Sequence, residues 1–247
     1  MRKFLFIGVI LIQALPILAS NALFEQANKA YQEEDFLKAV ELYDSIAAQG
    51  EVSAALYYNL GNAHYENGAL AKAILNYERA LRLDPKDEEI QHNLALAKSK
   101  RIDRFEEMPQ NLFKAFRLSV LQMFQPDNWA RLALGFLALA LAGLALYLFS
   151  SYGRIGFVSL LGGSLLSLFS LIMAYSHQHY REEHPGLIIM SDSAYVKSGP
   201  GSEAEDLFIL HAGTKGEQLD HFEGWTKLRL IDGKIGWLPD EDIEQIP

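Results

Sequence analysis

Three histidines and two carboxylates stand close together in one short stretch and are the residues best suited to metal chemistry. They belong to the segment His177-Gln178-His179-Tyr180-Arg181-Glu182-Glu183-His184. Imidazole and carboxylate groups are common ligands of transition metals, but this spacing matches no metal site on a helix face, and a polar linker accounts for the same residues. The chain contains no cysteine, which removes disulfides, thiol catalysis and thiolate metal sites. We therefore predict no metal site.

Motifs that signal other chemistry are missing from the sequence as well. It has no Gly-rich phosphate loop, no nucleophile elbow and no zinc signature. The formal net charge is −9, and acidic residues outnumber basic ones by 16 to 10 in residues 23–108 and by 14 to 5 in residues 182–247. Nucleic-acid binding needs a basic surface. The sequence therefore predicts a protein that binds no nucleic acid, has no catalytic residues and no cofactor, and is not an enzyme.

The first 22 residues have the layout of a secretory signal peptide. Arg2 and Lys3 precede an apolar stretch, and small residues lead up to Ala22. A charged start, an apolar core and a small-residue end are typical of such peptides. We predict a signal peptide over 1–22, cleaved after Ala22 or after Ser20. An uncleaved membrane anchor is the alternative, and either form exports the residues that follow.

Two further apolar stretches, 129–150 and 155–175, are each long enough to cross the ~30 Å hydrocarbon core of a bilayer as a helix. Only the segment 151–154 separates them, so we predict an antiparallel transmembrane hairpin. Two spans after an exported segment place both soluble domains on the periplasmic, outer side of a bacterial inner membrane. The inner loop holds only Arg154, which favours the opposite orientation, but the first segment usually determines orientation.

Small side chains recur at helical spacing along both predicted spans and would let two helices approach closely. They are Gly135, Ala138, Ala142 and Ala145 in the first span, and Ser159, Gly163 and Ser167 in the second. Packing of the two spans on each other is one explanation. Contact with a helix of a partner protein is the other.

Residues 109–128, which precede the spans, have apolar side chains on one side of a predicted helix and Lys114 and Arg117 on the other. This pattern is typical of an amphipathic juxtamembrane helix that contacts membrane lipid. A helix that caps the preceding domain is the alternative, because the last pair of a helical repeat otherwise exposes its apolar face.

Residues 23–108 repeat with a period of 34, so that Ala27 and Tyr43 become Gly61 and Tyr77 when they are shifted by one period. The apolar spacing predicts two helix pairs and one further helix. The second copy carries Tyr57, Leu60, Gly61, Gly68, Ala73, Tyr77, Ala80 and Pro85. On these positions the region resembles the tetratricopeptide repeat (TPR) family, which implies an all-α domain that binds protein partners.

The resemblance implies that function lies on the concave face, which the first helix of each pair forms. The matching positions, our candidates for a partner-binding groove, are Phe24, Asn28, Tyr31, Gln32, Tyr58, Asn62, Tyr65 and Glu66. Asparagine amides can hold a peptide backbone by paired hydrogen bonds, and tyrosines add amphipathic contact area. The basic residues with which some members bind a carboxylate are absent from the equivalent positions. A solvated face without a ligand is the alternative.

From Gly186 onward, short β-like runs alternate with turn residues and predict a small barrel. Segments such as Ala194-Tyr195-Val196-Lys197 and Gly236-Trp237-Leu238-Pro239 resemble the bacterial SH3 family over 187–247, after a linker at 176–186. The ligand candidates that this resemblance implies are Tyr195, Trp225, Trp237 and Pro239. Burial of the aromatic rings at the closure of the barrel is the alternative.

Taken in order, the segments predict a multidomain chain with an all-α tetratricopeptide-repeat domain, a two-helix transmembrane hairpin and a small all-β bacterial SH3-like barrel. This order resembles the BatE family of the Bacteroides aerotolerance operon. The resemblance implies a scaffold that assembles with von Willebrand-type Bat membrane proteins, with an indirect link to a MoxR-type AAA+ ATPase, in stress or oxygen tolerance. A cell-wall module whose SH3-like domain binds peptidoglycan is the alternative function.

Overall fold

Five helices make up the N-terminal region of the computed structural model, which describes residues 22–106, 119–120, 123–183 and 185–246. The helices are α1 (residues 22–32), α2 (Phe36–Ala48), α3 (Ala54–Glu66), α4 (Leu70–Leu83) and α5 (Glu88–Ser99). They form the two pairs and the further helix that the 34-residue period predicts. Apart from Ala22, the predicted signal peptide lies outside the described residues, as does most of the amphipathic segment at 109–128.

Side-chain caps begin three of these helices. The carboxylate of Asp35 accepts a hydrogen bond from the Lys38 N–H at 3.3 Å, and Ser53 Oγ accepts one from the Leu56 N–H at 3.1 Å. Asp87 accepts two bonds of the same kind, at 2.9 and 3.1 Å. Each bond satisfies a backbone donor that the first helical turn leaves unpaired. The starts of α2, α3 and α5 are therefore encoded locally.

Positions one period apart have the same structural role. Gly61 lies so close to the ring of Tyr77 that an added Cβ would be 2.7 Å from it, and Ala27, the equivalent of Gly61, is fully buried. Gly68 turns the chain between α3 and α4 with a φ of 77°, and Glu34 does so between α1 and α2 with a φ of 61°. Glutamate rarely adopts this left-handed conformation. The helix packing that both repeats share therefore outweighs the backbone preference of Glu34 at this turn.

Two long apolar helices, α6 (Pro126–Phe149) and α7 (Gly153–Glu183), pack against each other as an antiparallel hairpin. By length and composition alone both could cross a membrane, with mean hydropathies of 2.4 and 2.1. Near the start of α6, the ring of Trp129 stands edge-on to Phe169 of α7, with 6.0 Å between the ring centroids. Since α7 continues to Glu183, most of the linker predicted at 176–186 is helical.

On α7, predicted small residues contact α6, and so does Gly156, which was not predicted and whose added Cβ would meet the backbone nitrogen of Tyr147. A Cβ on Gly163 would lie 2.8 Å from both the backbone nitrogen of Ala140 and the carbonyl oxygen of Phe136. The Ser167 hydroxyl donates a hydrogen bond of 2.9 Å to the carbonyl of Ala133. Close backbone approach of this kind supplies the packing that holds helices together where the hydrophobic effect is weak.

On α6, the predicted stripe of small residues does not pack against α7, so its contact with a partner helix stays a prediction. The stripe Gly135, Ala138, Ala142 and Ala145 is exposed. Ala133, Ala140 and Gly143 are buried instead, and a Cβ on Gly143 would lie 2.5 Å from the backbone nitrogen of Leu160. Both sets of small residues have helical spacing, and spacing alone does not tell which side of the helix meets its neighbour.

We expect Gly163→Leu to separate α6 from α7, because the new side chain would meet backbone atoms of α6. Backbone atoms, unlike the end of a side chain, cannot make room by changing rotamer. Gly135→Leu is the matched control, since no atom lies within 4 Å of the position that its Cβ would occupy. The measurement is the resistance of the hairpin to unfolding by sodium dodecyl sulfate. Trp129 fluorescence reports this unfolding once Trp225 and Trp237 have been replaced by phenylalanine. Equal resistance of the two variants would contradict the packing described here.

Seven strands form one antiparallel sheet in the C-terminal region. They are β1 (Gly186–Ile189), β2 (Ala194–Lys197), β3 (Asp206–Leu210), β4 (Lys215–Phe222), β5 (Trp225–Arg229), β6 (Ile235–Pro239) and β7 (Ile243–Gln245). Their order in the sheet is β3-β2-β6-β5-β4-β1-β7, and side chains from β1, β2, β3, β5 and β6 share one core. The prediction of a C-terminal β-region is confirmed, and the sequence missed only β7, a short acidic strand that pairs with β1.

The helical repeat and the sheet share a second hydrophobic core. Ile188 of β1 and Ile246 after β7 are buried in one cluster with Ile74, Leu75 and Leu94 of α4 and α5. Accordingly, the described residues of 22–106 and 185–246 belong to one compact unit, and those between 119 and 183 belong to another. The sheet thus covers the apolar face that the last helices of a repeat would otherwise expose.

Polar contacts join the same two regions. The Glu78 carboxylate, on α4, pairs with Lys98 of α5 and with Lys215 of β4, each at 2.7 Å, and its side chain is only 8% exposed. After α5, the carboxylate of Asp103 accepts hydrogen bonds of 2.7 Å from the His211 N–H and from the Thr214 hydroxyl. These bonds hold the chain segment that leaves the repeat against the sheet.

Candidate functional site

The concave face of the helical repeat contains two adjoining cavities of about 290 and 260 Å³, which together we call the groove. Tyr31 and Asn62 line both cavities. The first is also lined by Glu25, Asn28, Gln32, Tyr43 and Asn59. The second is also lined by Tyr58, Tyr65, Glu66, Tyr77, Asn93 and Leu96. Amides, phenols and carboxylates therefore dominate a surface that the first helix of each repeat presents.

Two hydrogen-bonded triads, each of two asparagines and one tyrosine, shape the groove. In the first, Oδ1 of Asn28 accepts hydrogen bonds from the Tyr43 hydroxyl at 2.7 Å and from Asn59 Nδ2 at 3.1 Å. The second triad lies one period later and consists of Asn62, Tyr77 and Asn93, with distances of 2.7 and 3.0 Å. Each triad links the two helices of one repeat to the first helix of the next.

The triads give the groove asparagines a structural role beside the predicted one. The carbonyl oxygens of Asn28 and Asn62 are used within the protein, so their amide nitrogens are the atoms left for a ligand. Replacement of Asn28 by alanine would leave Tyr43 and Asn59 without this acceptor, and an unsatisfied buried polar group costs about 1–3 kcal/mol. Binding by the groove is therefore better tested at residues outside the triads.

The groove is acidic, and burial raises the pKa of the tyrosine in each triad. Glu25 and Glu66 line it, whereas among the described residues no lysine or arginine does. Burial, together with Tyr31 and Glu25, raises the pKa of Tyr43 to about 12 against the opposing hydrogen bond from Asn59. Burial also raises the pKa of Tyr77. The hydroxyls of the triads are therefore permanent hydrogen-bond donors, and the net charge of the groove is negative.

Seven of the eight residues predicted for the groove line its cavities, from Asn28 to Glu66. Phe24 does not, and instead packs edge-on against Tyr43 with 5.8 Å between ring centroids. Sequence reasoning missed the part that Asn59 and Asn93 play in the triads. A signal was present, because these two asparagines recur with the same 34-residue period as Asn28 and Asn62.

The residues predicted to bind a ligand on the β-region lie on the outer face of the sheet. Trp225 and Pro239 are cross-strand partners on β5 and β6, and each alternates with buried residues along its strand. The Lys227 ammonium lies 5.7 Å from the centre of the Trp237 ring, and Tyr195 is exposed. The four predicted residues thus share one face, and their role in ligand binding stays a prediction.

The histidine-rich stretch forms no metal cluster in the part of the chain that the structure describes. His177 is buried in the hairpin, whereas the ring of His179 stacks on Tyr175 with 5.6 Å between centroids. His184 lies outside the described residues.

Comparison with known proteins supports the helical part of this description. The TPR repeat family matches residues 61–100, which span α4 and α5, so the chain contains a TPR repeat. The rhomboid protease GluP of Bacillus subtilis (strain 168) is 36% identical over 81 residues, which cover 33% of this chain and 16% of that protein. The chain therefore spans only a small part of the length of this relative.

The repeat, the groove and the two apolar helices together define a class of protein. The chain is a TPR-containing protein with two helices able to cross a membrane and a C-terminal antiparallel sheet. TPR repeats generally mediate protein–protein interactions, and the apolar helices and the resemblance to a rhomboid protease favour association with a membrane.

Proposed function

We propose that this protein is a membrane-anchored scaffold that binds protein partners in the groove of its helical repeat. The observation that carries the proposal is the pair of triads, which hold the amides of Asn28 and Asn62 in equivalent positions one repeat apart. Preorganised donors at a regular spacing suit an extended chain, whose carbonyl groups also recur regularly.

The charge of the groove indicates what kind of chain segment it accepts. Glu25 lines one cavity and Glu66 the other, so a lysine or arginine of the partner would find a carboxylate in either cavity. A terminal carboxylate would be repelled. We therefore propose an extended segment with at least one basic residue as the ligand.

We expect Glu66→Lys to weaken partner binding about tenfold, because it replaces attraction of a basic side chain by repulsion. A photo-crosslinking amino acid at Gln32, which lines the groove, captures the partner in intact cells, and the yield of crosslinked partner measures binding. Glu41→Lys on α2 makes the same change of charge at an exposed position outside the groove and should leave the yield unchanged. Equal yields from both variants would exclude the groove as the binding site.

For the identity of the partners, we propose von Willebrand-type Bat proteins. The complex would be linked to a MoxR-type AAA+ ATPase and would act in stress or oxygen tolerance. The order of the segments along the chain supports this assignment. We also propose that the chain is not an enzyme. The protease activity named for the rhomboid relative is not extended to it, because the match covers 16% of that protein.

The hydrophobic core shared by the helical repeat and the sheet bears on which side of a membrane each of them lies. Ile246 packs with residues of α4 and α5, so the sheet and the repeat must lie on the same side of any membrane. Two membrane-crossing helices between them satisfy this condition. With the predicted signal peptide, we propose that this is the periplasmic side of a bacterial inner membrane.

A second candidate function, binding of peptidoglycan by an SH3-like β-domain, is favoured by the outer face of the sheet. Tyr195 and Phe222 are each 52% exposed there, and Phe222 is the cross-strand partner of Trp225. Exposed aromatic rings offer flat contact surfaces for sugars and short peptides. Sedimentation of the protein with purified cell wall, and its loss in Trp225→Ala, would favour this function over the scaffold.

A further inference from the structure

A positively charged cavity of about 390 Å³ lies between the helical repeat and the sheet. It is bounded by the end of α5, by the segment that follows it, and by β4 and β5. Its polar lining consists of Lys98, Arg101, Lys215, Arg229 and Glu217, and Phe105 contributes to an apolar wall. This volume lies within the range of small-molecule sites, which is roughly 300–1,000 Å³.

The cations of this cavity exceed the carboxylates that neutralise them. Lys98 and Lys215 share the single carboxylate of Glu78, at 2.7 Å each. Arg229 pairs with one oxygen of Glu217, at 2.7 Å. The guanidinium of Arg101 donates from Nε to the carbonyl of Lys98 at 3.2 Å and has no carboxylate partner among the described residues. With the Asp103 carboxylate, whose charge also acts on Arg101, four positive and three negative groups leave a charge of +1 in a protein whose net charge is −9.

One hydrogen-bond acceptor in the lining is unsatisfied. Glu217 Oε2 accepts from Arg229, but Oε1 is buried and has no hydrogen-bond partner. Leaving a buried charged oxygen without a donor is costly, and such atoms are rare in folded proteins. The ion pairs account for three of the four cations but do not explain this oxygen. A ligand that satisfies it must carry a donor as well as negative charge.

We propose that this cavity binds a phosphate group, either as the free anion or as a small phosphate ester. The guanidinium of Arg101 and the ammonium groups of Lys98 and Lys215 neutralise its oxygens. The protonated oxygen of the anion, or a hydroxyl of the ester, donates to Glu217 Oε1. The ligand would contact both the repeat and the sheet, and would therefore stabilise the whole unit.

Discrimination between phosphate and sulfate is the sharpest test. The two anions have the same shape, but near neutral pH phosphate retains a proton and sulfate does not, so sulfate would place a bare oxygen against the Glu217 carboxylate. Calorimetric titration of the full-length protein in detergent, at constant ionic strength, should show phosphate binding at least about tenfold tighter than sulfate. Equal affinities, or no heat from either anion, would overturn the proposal.

Two variants locate the site. Arg101→Gln should weaken phosphate binding at least about tenfold, whereas Lys100→Gln removes the same charge from an exposed neighbour that lies over the ring of Tyr65 and should have no effect. Phosphate binding that survives in Arg101→Gln would refute the site. If Arg101→Gln does not fold, the comparison of phosphate with sulfate on the unaltered protein decides the question. Tighter binding of glycerol phosphate than of inorganic phosphate would identify the natural ligand as an ester, and the reverse order as the free anion.

Discussion

Ile246→Asn is expected to lower the free energy of unfolding of the repeat–sheet unit by about 3–5 kcal/mol. Ile246 is 3% exposed and packs in one cluster with Ile74 and Leu75 of the repeat and with Ile188 of the sheet. The substitution removes apolar contacts and buries an amide for which the cluster offers no hydrogen-bond partners. Since this side chain joins the two regions, we also expect one melting transition to become two.

The matched control is Ile235→Asn, which makes the same change on β6 at a side chain that is 44% exposed. It should change the stability by less than about 1 kcal/mol. Thermal unfolding followed by circular dichroism would resolve the helical and β signals separately. A single, unshifted transition in Ile246→Asn would show that the repeat does not depend on the sheet.

Glu78→Gln is expected to cost about 2–3 kcal/mol, because it leaves Lys98 and Lys215 facing each other without the carboxylate between them. Breaking a fully buried ion pair typically costs about 3–5 kcal/mol. The loss is smaller here because the side chains of both lysines reach solvent and are 32% and 43% exposed. Glu41→Gln, at an exposed position of α2, is the control, and chemical denaturation of both variants measures the difference. No loss of stability in Glu78→Gln would show that these ion pairs are incidental.

The same carboxylate makes stability depend on pH in the acid range. Burial alone would raise the pKa of Glu78, but the ammonium groups of Lys215 and Lys98 outweigh it and hold the pKa below its usual value. A group whose pKa is depressed by folding stabilises the protein above its unfolded pKa, here about 4, and this contribution is lost as the pH falls through the folded value. Glu78→Gln should therefore reduce the loss of stability below about pH 4.

His64 makes stability depend on pH in a higher range than Glu78 does, so the two contributions can be measured separately. Burial, with a smaller effect of Lys72, lowers the pKa of His64 to about 4. The unfolded chain takes up this proton near pH 6.5, so stability falls by about 3 kcal/mol as the pH drops from about 6.5 to 4. This part of the profile should persist in Glu78→Gln and disappear in His64→Gln.

Local patterns in the sequence predicted most of the secondary structure. Asp35, Ser53 and Asp87 begin helices by binding backbone groups a few residues away, so their effect needs no tertiary structure. The strand β7 escaped notice because Ile243-Glu244-Gln245 is short and acidic, and it becomes a strand only by pairing with β1. The groove residues were found because the repeat places equivalent side chains at a constant period.

The sequence by itself therefore determined the helical repeat, the apolar hairpin and the succession of strands, since each depends on spacings within one element or one repeat. Only the tertiary structure decided that Asn28 is bound by Tyr43 and Asn59, that Gly143 and not Gly135 meets the second apolar helix, and that Ile246 joins the sheet to the repeat. These contacts join residues on different elements, and the free energy of burying them depends on the shape of both surfaces. A pattern of residue types along the chain carries no record of that shape.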